Sequence, residues 1–216
     1  MSEPKQHILV IGGATLDTII DYQDMETLEH RQEKSKKSYL LLQEGKKIEV
    51  LDMQVASGGA GTNATVSFHK QGFMVIPFCK LGKDLAAQQI IDELKSYNIE
   101  TSYIQYSKTR KTGNSYIVPS LEGDRTIFAH RGANATLLAA EIPSQIIENA
   151  RRLYISSLSY ESAAALPGIT ELARKHRIPV AINPGISQIT NNISALQQSL
   201  TNIDIISLNN DEAMLW

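Results

Sequence analysis

SGGAGTNAT, residues 57–65, runs directly into an amphipathic segment at residues 66–71. Glycine carries no side chain, so another molecule can approach the backbone closely at Gly58, Gly59 and Gly61. A helix that begins within this stretch would also present free N–H groups and a partial positive charge at its N-terminus. Taken alone, the pattern fits either a simple turn before a helix or a backbone cradle for a ligand, so the rest of the chain has to decide.

Composition narrows the class of protein. The 216 residues are 42% hydrophobic and carry a net charge of -2, which suits one large α/β domain or two small ones. The balanced charge argues against a nucleic-acid surface that works through bulk charge. We see no signal sequence and no apolar run long enough for a membrane span, so we expect a cytoplasmic protein without a membrane or nucleic-acid partner.

The single cysteine, Cys79, ends the apolar run at residues 73–79. One cysteine cannot build a disulfide framework or a cysteine-based metal site, which fits a reducing compartment. Its apolar neighbours should raise its pKa, so we expect a buried structural thiol rather than a nucleophile.

Strands and helices alternate along most of the chain. Residues 7–11 (HILVI) form an apolar run that ends at Gly12, which predicts a buried first strand. A second strand at residues 16–22 carries Asp17 near its start, where the carboxylate could cap a turn or bind a ligand at the sheet edge. From residue 73 onward the patterns follow each other at the spacing of βαβ units. The sequence therefore predicts an α/β fold with a mainly parallel sheet covered on both faces.

Two hairpins are predicted outside the main sheet. Residues 38–43 and 46–53 read as strands across a two-residue turn that contains glycine, and residues 113–119 and 125–130 form a similar pair. Residues 24–37 carry charges of mixed sign and are expected to be solvated. Because an isolated hairpin is marginal in water, we expect these strands to join a small additional β-layer.

Short motifs recur in a fixed order between these elements. They are Gly12-Gly13 with Asp17, Gly58-Gly59-Ala60-Gly61-Thr62-Asn63-Ala64, Lys80-Leu81-Gly82-Lys83-Asp84, Thr112-Gly113, Gly132-Ala133-Asn134, Asn183-Pro184 and Asn209-Asn210-Asp211-Glu212. In this order the chain resembles the ribokinase-like carbohydrate kinases, a superfamily that also holds adenosine kinase and the B-type phosphofructokinases. The resemblance extends from Ile8 to Leu215.

For the fold, the resemblance implies a Rossmann-like sandwich with a mainly parallel central sheet and a small β-sheet lid that closes over substrate. The lid segments would lie at about residues 14–22, 37–56 and 112–130, and the lid could join two copies of the chain in a homodimer. Residues 1–216 would form an incomplete domain that lacks the C-terminal part of the fold.

For the acceptor, the resemblance implies a sugar or nucleoside held by its hydroxyl groups. The implied substrate-binding residues are Asp17, Gly58, Gly59, Asn63, Arg131 and Asn134. An ionised Asp17 is acceptor-only and suits hydroxyl donors, and the two glycines leave bare backbone for a sugar ring. Arg131 would be an anion contact at the substrate end. The glutamate that contacts sugar in ribokinase is replaced here by Leu158 or Ser159, so the resemblance does not name the sugar.

For the phosphate donor, the resemblance implies ATP as co-substrate together with Mg²⁺. Asn183, Asn209 and Glu212 would be associated with the nucleotide and the metal, and Glu212 would act on Mg²⁺ indirectly, through water. The same Asn209 and Glu212 also have the spacing of a helix capping box, and both interpretations can hold together.

The catalytic signature of the family is missing. An Asp-x-x-Gly-Ala-Gly-Asp run, which carries the general base and the anion hole, would lie beyond Trp216. We therefore expect no catalytic residue in this chain and no kinase activity from it alone. The alternative is a non-catalytic sugar- or nucleoside-binding protein, or a degenerate kinase remnant. A dinucleotide-binding enzyme is disfavoured, because Gly12-Gly13 lacks the G-x-G-x-x-G spacing.

Overall fold

The computed structural model describes residues 7–22, 26–32, 35–120 and 123–216. In chain order its strands are β1 (His7–Ile11), β2 (Thr15–Asp21), β3 (Glu26–Gln32), β4 (Ser35–Leu41), β5 (Asp52–Gly58), β6 (Val75–Phe78), β7 (Lys80–Leu81), β8 (Gln105–Tyr106), β9 (Gly113–Pro119), β10 (Arg125–His130), β11 (Ala150–Ile155), β12 (Val180–Ile182) and β13 (Ile205–Ile206). Its α-helices are α1 (Ala60–Lys70), α2 (Leu85–Ser96), α3 (Ser144–Glu148), α4 (Glu161–Ala164), α5 (Leu166–Lys175), α6 (Ile186–Thr190), α7 (Ile193–Ser199) and α8 (Asn210–Leu215). Short 3-10 helices lie at Gly132–Thr136, Ala139–Glu141 and Leu200–Asn202.

Five strands form the central sheet, in the order β13-β12-β11-β1-β6, and every neighbouring pair is parallel. The predicted α/β fold with a mainly parallel sheet is thereby confirmed. Because the strands are parallel, their carboxyl ends share one edge of the sheet, which is where open α/β sheets bind ligands. The chain therefore places the ends of β1, β11, β12 and β13 side by side at that edge.

The core explains why the first strand is a continuous apolar run. Leu9 and Ile11 point into the largest apolar cluster, to which α5 and α7 contribute. Ile8 and Val10 point to the opposite face, where Phe68 of α1 packs against them. All residues of β1 are buried, and its one polar residue, His7, has Nε2 at 2.9 Å from the carbonyl oxygen of Ile146. A polar residue without such a partner would be costly at the other positions. Each fully buried Leu or Ile side chain contributes roughly 1.5–3 kcal/mol.

A second sheet of four strands has the order β10-β9-β2-β5. The strands β9 and β10 are antiparallel over their whole length, which confirms the second predicted hairpin. Residues 121–122 of its turn lie outside the described residues. The strand β2 pairs with β5 antiparallel and with β9 parallel, so it lies in the middle of this sheet. Asp17 therefore projects from an interior strand, with partners on both sides.

The first predicted hairpin is wrong in its pairing. The strand β4 pairs with β3, within the charged segment, and not with residues 46–53. The strand β5 instead pairs with β2 over seven residue pairs, which carries the chain to Gly58. Leu28 and Tyr39 lie directly opposite each other in the β3–β4 ribbon, but the surrounding charges hide this alternation in the sequence. Residues 26–31 are exposed, as expected for a solvated segment.

Two further predictions can be compared with the structure. Cys79 is buried, and burial raises the pKa of its thiol to about 12, which confirms a structural thiol. In the described part of the chain, no helix has the length and apolar character that crossing a bilayer requires. Residues 1–6, where a signal sequence would begin, lie outside the described residues.

Candidate functional site

The loop after β1 packs directly against the start of α1. The N–H of Gly61 donates to the carbonyl oxygen of Gly13 at 2.9 Å, and a Cβ at position 61 would lie 2.7 Å from the carbonyl carbon of Gly12. Gly59, the N-cap of α1, has a φ of 91°, and a Cβ there would lie 2.6 Å from the Gly13 oxygen. Because backbone meets backbone here, the glycine-rich stretch is required by the fold as well as available to a ligand.

Asp17 lies beside this loop with one carboxylate oxygen fully engaged. The hydroxyl of Thr15 donates to Oδ1 at 2.7 Å, and the hydroxyl of Ser115 donates to the same oxygen at 2.5 Å. Ser115 is the residue directly opposite Asp17 on β9. The other oxygen, Oδ2, lies over Gly58, where a Cβ would overlap it. The structure therefore brings Asp17 and Gly58 together, as a shared substrate site requires.

Asn134 holds the loop after β1 in place. Its Nδ2 donates to the Ala14 carbonyl oxygen at 2.6 Å, and its Oδ1 accepts from the Ala14 N–H at 3.0 Å. Its own carbonyl oxygen accepts from the Ser162 hydroxyl at 2.6 Å. These bonds make Asn134 a positioning residue for the loop, which is a role that the sequence motif alone did not indicate.

A half-buried ion pair supports the 3-10 helix that carries Asn134. Lys80 donates from Nζ to Glu141 Oε1 at 2.6 Å and to the carbonyl oxygen of Thr136 at 2.8 Å. Lys80 is only 9% exposed, so its charge is compensated within the protein. The pair ties β7 to the segment that follows β10.

Asp84 joins two of the sequence motifs. Its Oδ1 accepts from the Thr112 hydroxyl at 2.6 Å, its Oδ2 accepts from the Thr112 N–H at 2.8 Å, and the N–H of Ala87 donates to Oδ1 at the start of α2. The Thr112 hydroxyl oxygen accepts in turn from the Gly82 N–H at 2.9 Å. Burial alone would raise the pKa of Asp84, but these hydrogen bonds, with a contribution from the charge of Lys111, hold that pKa below its ordinary value.

Asn63 and Arg131 are the more open members of the predicted substrate group. Asn63 is exposed in the first turn of α1, with its backbone N–H bonded to the Gly59 carbonyl oxygen at 2.9 Å. Arg131 is exposed and lines a cavity of about 400 Å³ together with Arg110 and His130. Glu161 also lines the cavity, so its lining combines basic side chains with one carboxylate.

The predicted nucleotide group lies at the ends of β12 and β13. Asn183 donates from Nδ2 to the carbonyl oxygen of Ser207 at 2.8 Å, which links the two strand ends. The N–H of Glu212 donates to Asn209 Oδ1 at 2.8 Å, and the N–H of Asn209 donates to Glu212 Oε2 at 3.0 Å. The predicted capping box is confirmed. Neighbouring strands are about 4.8 Å apart, so this group lies roughly 10–15 Å along the sheet edge from β1.

Glu212 fits an indirect role at a magnesium ion. Glu212 is nine-tenths buried and its Oε2 accepts from the Asn209 N–H, which leaves Oε1 as the oxygen that could take a water of an ion. Within the described ranges, no group of three or more His, Cys, Asp or Glu side chains could hold a metal ion directly. Magnesium commonly keeps several waters and takes few protein ligands, which suits this donor set.

Comparison with known proteins gives the family. The model of the pfkB family carbohydrate kinases matches residues 18–216. The chain belongs to this family. A ribokinase of Staphylococcus aureus (strain COL) is 30% identical over 179 residues, which are 80% of this chain and 56% of that protein. A deoxyribokinase of Salmonella typhi is 27% identical over 142 residues, which are 65% of this chain and 46% of that protein.

Solved structures agree on the fold. The structure of Arabidopsis thaliana ribokinase complexed with ribose and ATP superposes with a TM-score of 0.76 at 20% identity, covering 97% of this chain and 62% of that chain. The ribokinase-like fold with its additional small sheets is thus confirmed for this pfkB-family chain. The chain spans about half the length of the ribokinase and the deoxyribokinase that it matches.

Three polar residues around the candidate site are not found by the sequence motifs. Thr15 and Ser115 donate to Asp17, and Ser156 follows β11 with its hydroxyl next to Gly12, where a Cβ would overlap it. The Ser156 hydroxyl is buried, and no hydrogen-bond partner for it lies in the described part of the chain. The positions of Ser115 and Ser156 depend on strand pairing, so the linear sequence carries no direct signal for them. Thr15 and Asp17 are two residues apart on β2, so the alternation of the strand alone places them on one face.

Proposed function

We propose that this chain is the acceptor-binding part of an ATP-dependent kinase that phosphorylates an alcohol group of a sugar or nucleoside. The observation that carries the proposal is the carboxylate of Asp17, oriented by two hydroxyl donors and placed over the bare backbone of Gly58. A fixed acceptor-only group suits a ligand rich in hydroxyls, and the neighbouring Gly59 is partly exposed.

The proposed acceptor site uses the residues around the ends of β1 and β5. Asp17 and Asn63 hydrogen-bond the acceptor hydroxyls, while Gly58 and Gly59 let the sugar ring lie against the backbone. Asn134 keeps the loop after β1 in position through Ala14. Arg131 contacts an anionic group at the acceptor end, supported by the basic cavity that it lines with Arg110.

The four-stranded sheet is proposed as a lid that covers the acceptor and excludes water. Its Asp17 face would meet the substrate. The opposite face carries Val55, Tyr116 and Phe128, each about half exposed, in one register row that also includes the buried Thr18 between Val55 and Tyr116. Such a row supports a homodimer formed through the lid, and a purely monomeric species in sedimentation velocity would rule this out.

The phosphate donor is proposed to be ATP with Mg²⁺, bound toward Asn183, Asn209 and Glu212. Mg²⁺, when bound, supplies positive charge that offsets the charge developing on the transferred phosphoryl group. Glu212 would orient waters of the ion through its second carboxylate oxygen. A kinase of this kind would act in the cytoplasm, where ATP is available.

We further propose that the 216-residue chain does not transfer phosphate by itself. Its sequence contains no Gly-Ala-Gly-Asp run, so neither the family's general base nor its anion hole can be assigned. A missing general base costs on the order of 10²–10⁴ in rate, and a missing anion hole removes a further electrostatic contribution.

A thermal-shift screen of sugars and nucleosides tests the acceptor site. A ligand at about 100 times its Kd stabilises the folded state by roughly 2.7 kcal/mol, so binding sugars should raise the Tm clearly. Asp17→Ala should abolish the shift, whereas Asp92→Ala, on the exposed side of α2, should retain it. ATP consumption with every hit should stay at background. A shift that survives Asp17→Ala would overturn the acceptor site, and turnover by this chain would overturn its inactivity.

A further inference from the structure

Two carboxylates of α2 are hydrogen-bonded to strands of the four-stranded sheet. Glu93 Oε2 accepts from the backbone N–H of Ser57 at 2.8 Å. At the other end of the helix, Asp84 accepts from the N–H of Thr112 at 2.8 Å and from its hydroxyl at 2.6 Å. Ser57 lies near the end of β5, and Thr112 directly precedes β9. One helix therefore holds two strands of this sheet, each near one of its ends.

These two strands lie on either side of the strand that carries Asp17. The order β10-β9-β2-β5 puts β2 between β9 and β5. Leu16 of β2 belongs to the same buried cluster as Ile90 of α2. Asp84 and Glu93 are nine positions apart, a rise of roughly 13 Å, which is enough to pass beneath three strands about 4.8 Å apart. The helix is thus attached to all three strands, by two carboxylates and by apolar packing between them.

Each of the two held strands contributes one side of the proposed acceptor site. The strand β5 continues from Ser57 to Gly58, which lies under Asp17 Oδ2. The strand β9 carries Ser115, whose hydroxyl donates to Asp17 Oδ1 at 2.5 Å. We call Asp17, Gly58 and Ser115 the acceptor cradle. Its geometry depends on the spacing of β5 and β9, and α2 is bonded to both.

The bond to Ser57 suits this role because β5 is an edge strand of its sheet. An edge strand leaves alternate N–H groups without a strand partner. Glu93 accepts from such a group at the last position before Gly58 and Gly59. A hydrogen bond to an ionised carboxylate is stronger than one to a neutral oxygen. It therefore restrains the chain where the following glycines have the widest conformational freedom.

We infer that Asp84 and Glu93 are positioning residues of the acceptor site, and that α2 holds the acceptor cradle in its binding conformation before a ligand arrives. This inference rests on the proposed function. Neither carboxylate has to touch the acceptor, because each acts through the strand that it holds. A site that is ordered for only a fraction of the time binds with an affinity reduced by that fraction. Loosening either attachment therefore weakens binding without removing a contact to the ligand.

NMR spectroscopy measures the positioning role without a ligand. Glu93→Ala should shift the amide resonances of Gly58 and Asp17, and it should accelerate hydrogen exchange at the Ser57 amide by about 10-fold, the equivalent of one hydrogen bond. Glu93→Gln keeps a side-chain oxygen as acceptor and should restore both signals. Asp92→Ala truncates the neighbouring exposed carboxylate of α2 and should leave both unchanged.

Calorimetric titration with D-ribose, D-fructose and adenosine measures the consequence for binding. Each probe that binds the wild-type chain should bind Glu93→Ala about 10-fold more weakly, as expected if about one molecule in ten keeps an ordered cradle. Glu93→Gln and Asp92→Ala should retain the wild-type Kd. A loss of global stability alone would not produce this pattern, because the folded chain would still present an ordered cradle.

The outcomes separate this inference from the proposed function. If a probe binds Glu93→Ala with the wild-type Kd, or if the resonances of Gly58 and Asp17 do not move, the inference is wrong and the acceptor site stands. Equal weakening in Glu93→Ala and Asp92→Ala would also overturn it, because the effect would then come from the charge of the helix surface. If none of the three probes binds the wild-type chain, the proposed function and the inference fail together.

Discussion

The proposed acceptor end, around Asp17 and Asn134, and the proposed nucleotide end, around Asn209 and Glu212, are built in different ways. At the acceptor end, Ser115 reaches Asp17 across 98 residues of sequence and Asn134 reaches Ala14 across 120. At the nucleotide end, Asn209 and Glu212 bond to each other across three residues. The acceptor geometry therefore exists only when the whole chain is folded, whereas the Asn209–Glu212 geometry needs little more than one turn of helix.

This difference predicts how each end responds to mutation. A substitution at the acceptor end should destabilise several elements at once, because the same bonds hold β1, β2, β9 and α1 together. A substitution at the nucleotide end should destabilise α8 alone, because the six residues of this helix make few tertiary contacts. Substitutions at matched positions can test this contrast.

The largest effect is expected from Gly59→Ala. Gly59 has a φ of 91°, and its new Cβ would lie 2.6 Å from the Gly13 oxygen and 2.9 Å from the Ala14 Cα. Backbone strain of roughly 1–3 kcal/mol adds to an overpacking cost of roughly 1–3 kcal/mol, so we expect a loss of about 3–4 kcal/mol in the free energy of unfolding. Urea denaturation followed by circular dichroism measures it.

Gly72→Ala provides the matched control for this substitution. Gly72 follows the other end of α1 with a φ of 87°, and nothing lies within 4 Å of its would-be Cβ. Only the conformational cost remains, about 1 kcal/mol. Equal losses for the two variants would show that the contact between the loop and α1 contributes nothing beyond backbone conformation.

The second effect is expected from Asn134→Ala. The substitution removes both hydrogen bonds to Ala14 and leaves a buried N–H and C=O without those partners. With roughly 1–1.5 kcal/mol for each bond, the loss should be about 2–3 kcal/mol. Hydrogen exchange at the Ala14 amide should accelerate more than exchange in α5, which lies away from the loop. Unchanged protection at Ala14 would contradict the positioning role.

The sequence predicts the local features of both ends well. The capping box at Asn209 and Glu212 is a spacing of three residues, and the buried first strand is a single apolar run, so each can be seen in a short window. The parallel sheet follows from the alternation of strands and helices, since such connections require crossovers. These features are confirmed because short-range physics decides them.

Features that depend on strand pairing could not be predicted in the same way. The partner of β5 is β2, which precedes it by more than 30 residues, and the mixed charges of β3 conceal its alternation. The pairing of β2 with β9 places Ser115 at Asp17, and no local pattern encodes that register. The motif around Asn134 indicates an important residue, but its bonds to Ala14 become visible only when both loops are placed.

The smallest effect is expected from Asn209→Ala, and it completes the contrast between the two ends. The substitution removes the side-chain acceptor for the Glu212 N–H while leaving the backbone N–H of residue 209 free to donate to Glu212. An N-cap of this kind contributes about 1 kcal/mol, and glycine at the same position costs only a few tenths. We therefore expect Asn209→Ala to lower the free energy of unfolding by at most about 1 kcal/mol, Asn209→Gly to lower it less, and the sugar-induced thermal shift to remain intact in both. A loss of sugar binding in Asn209→Ala would mean that the two ends are coupled across the sheet edge, because a local cap has no means of reaching Asp17.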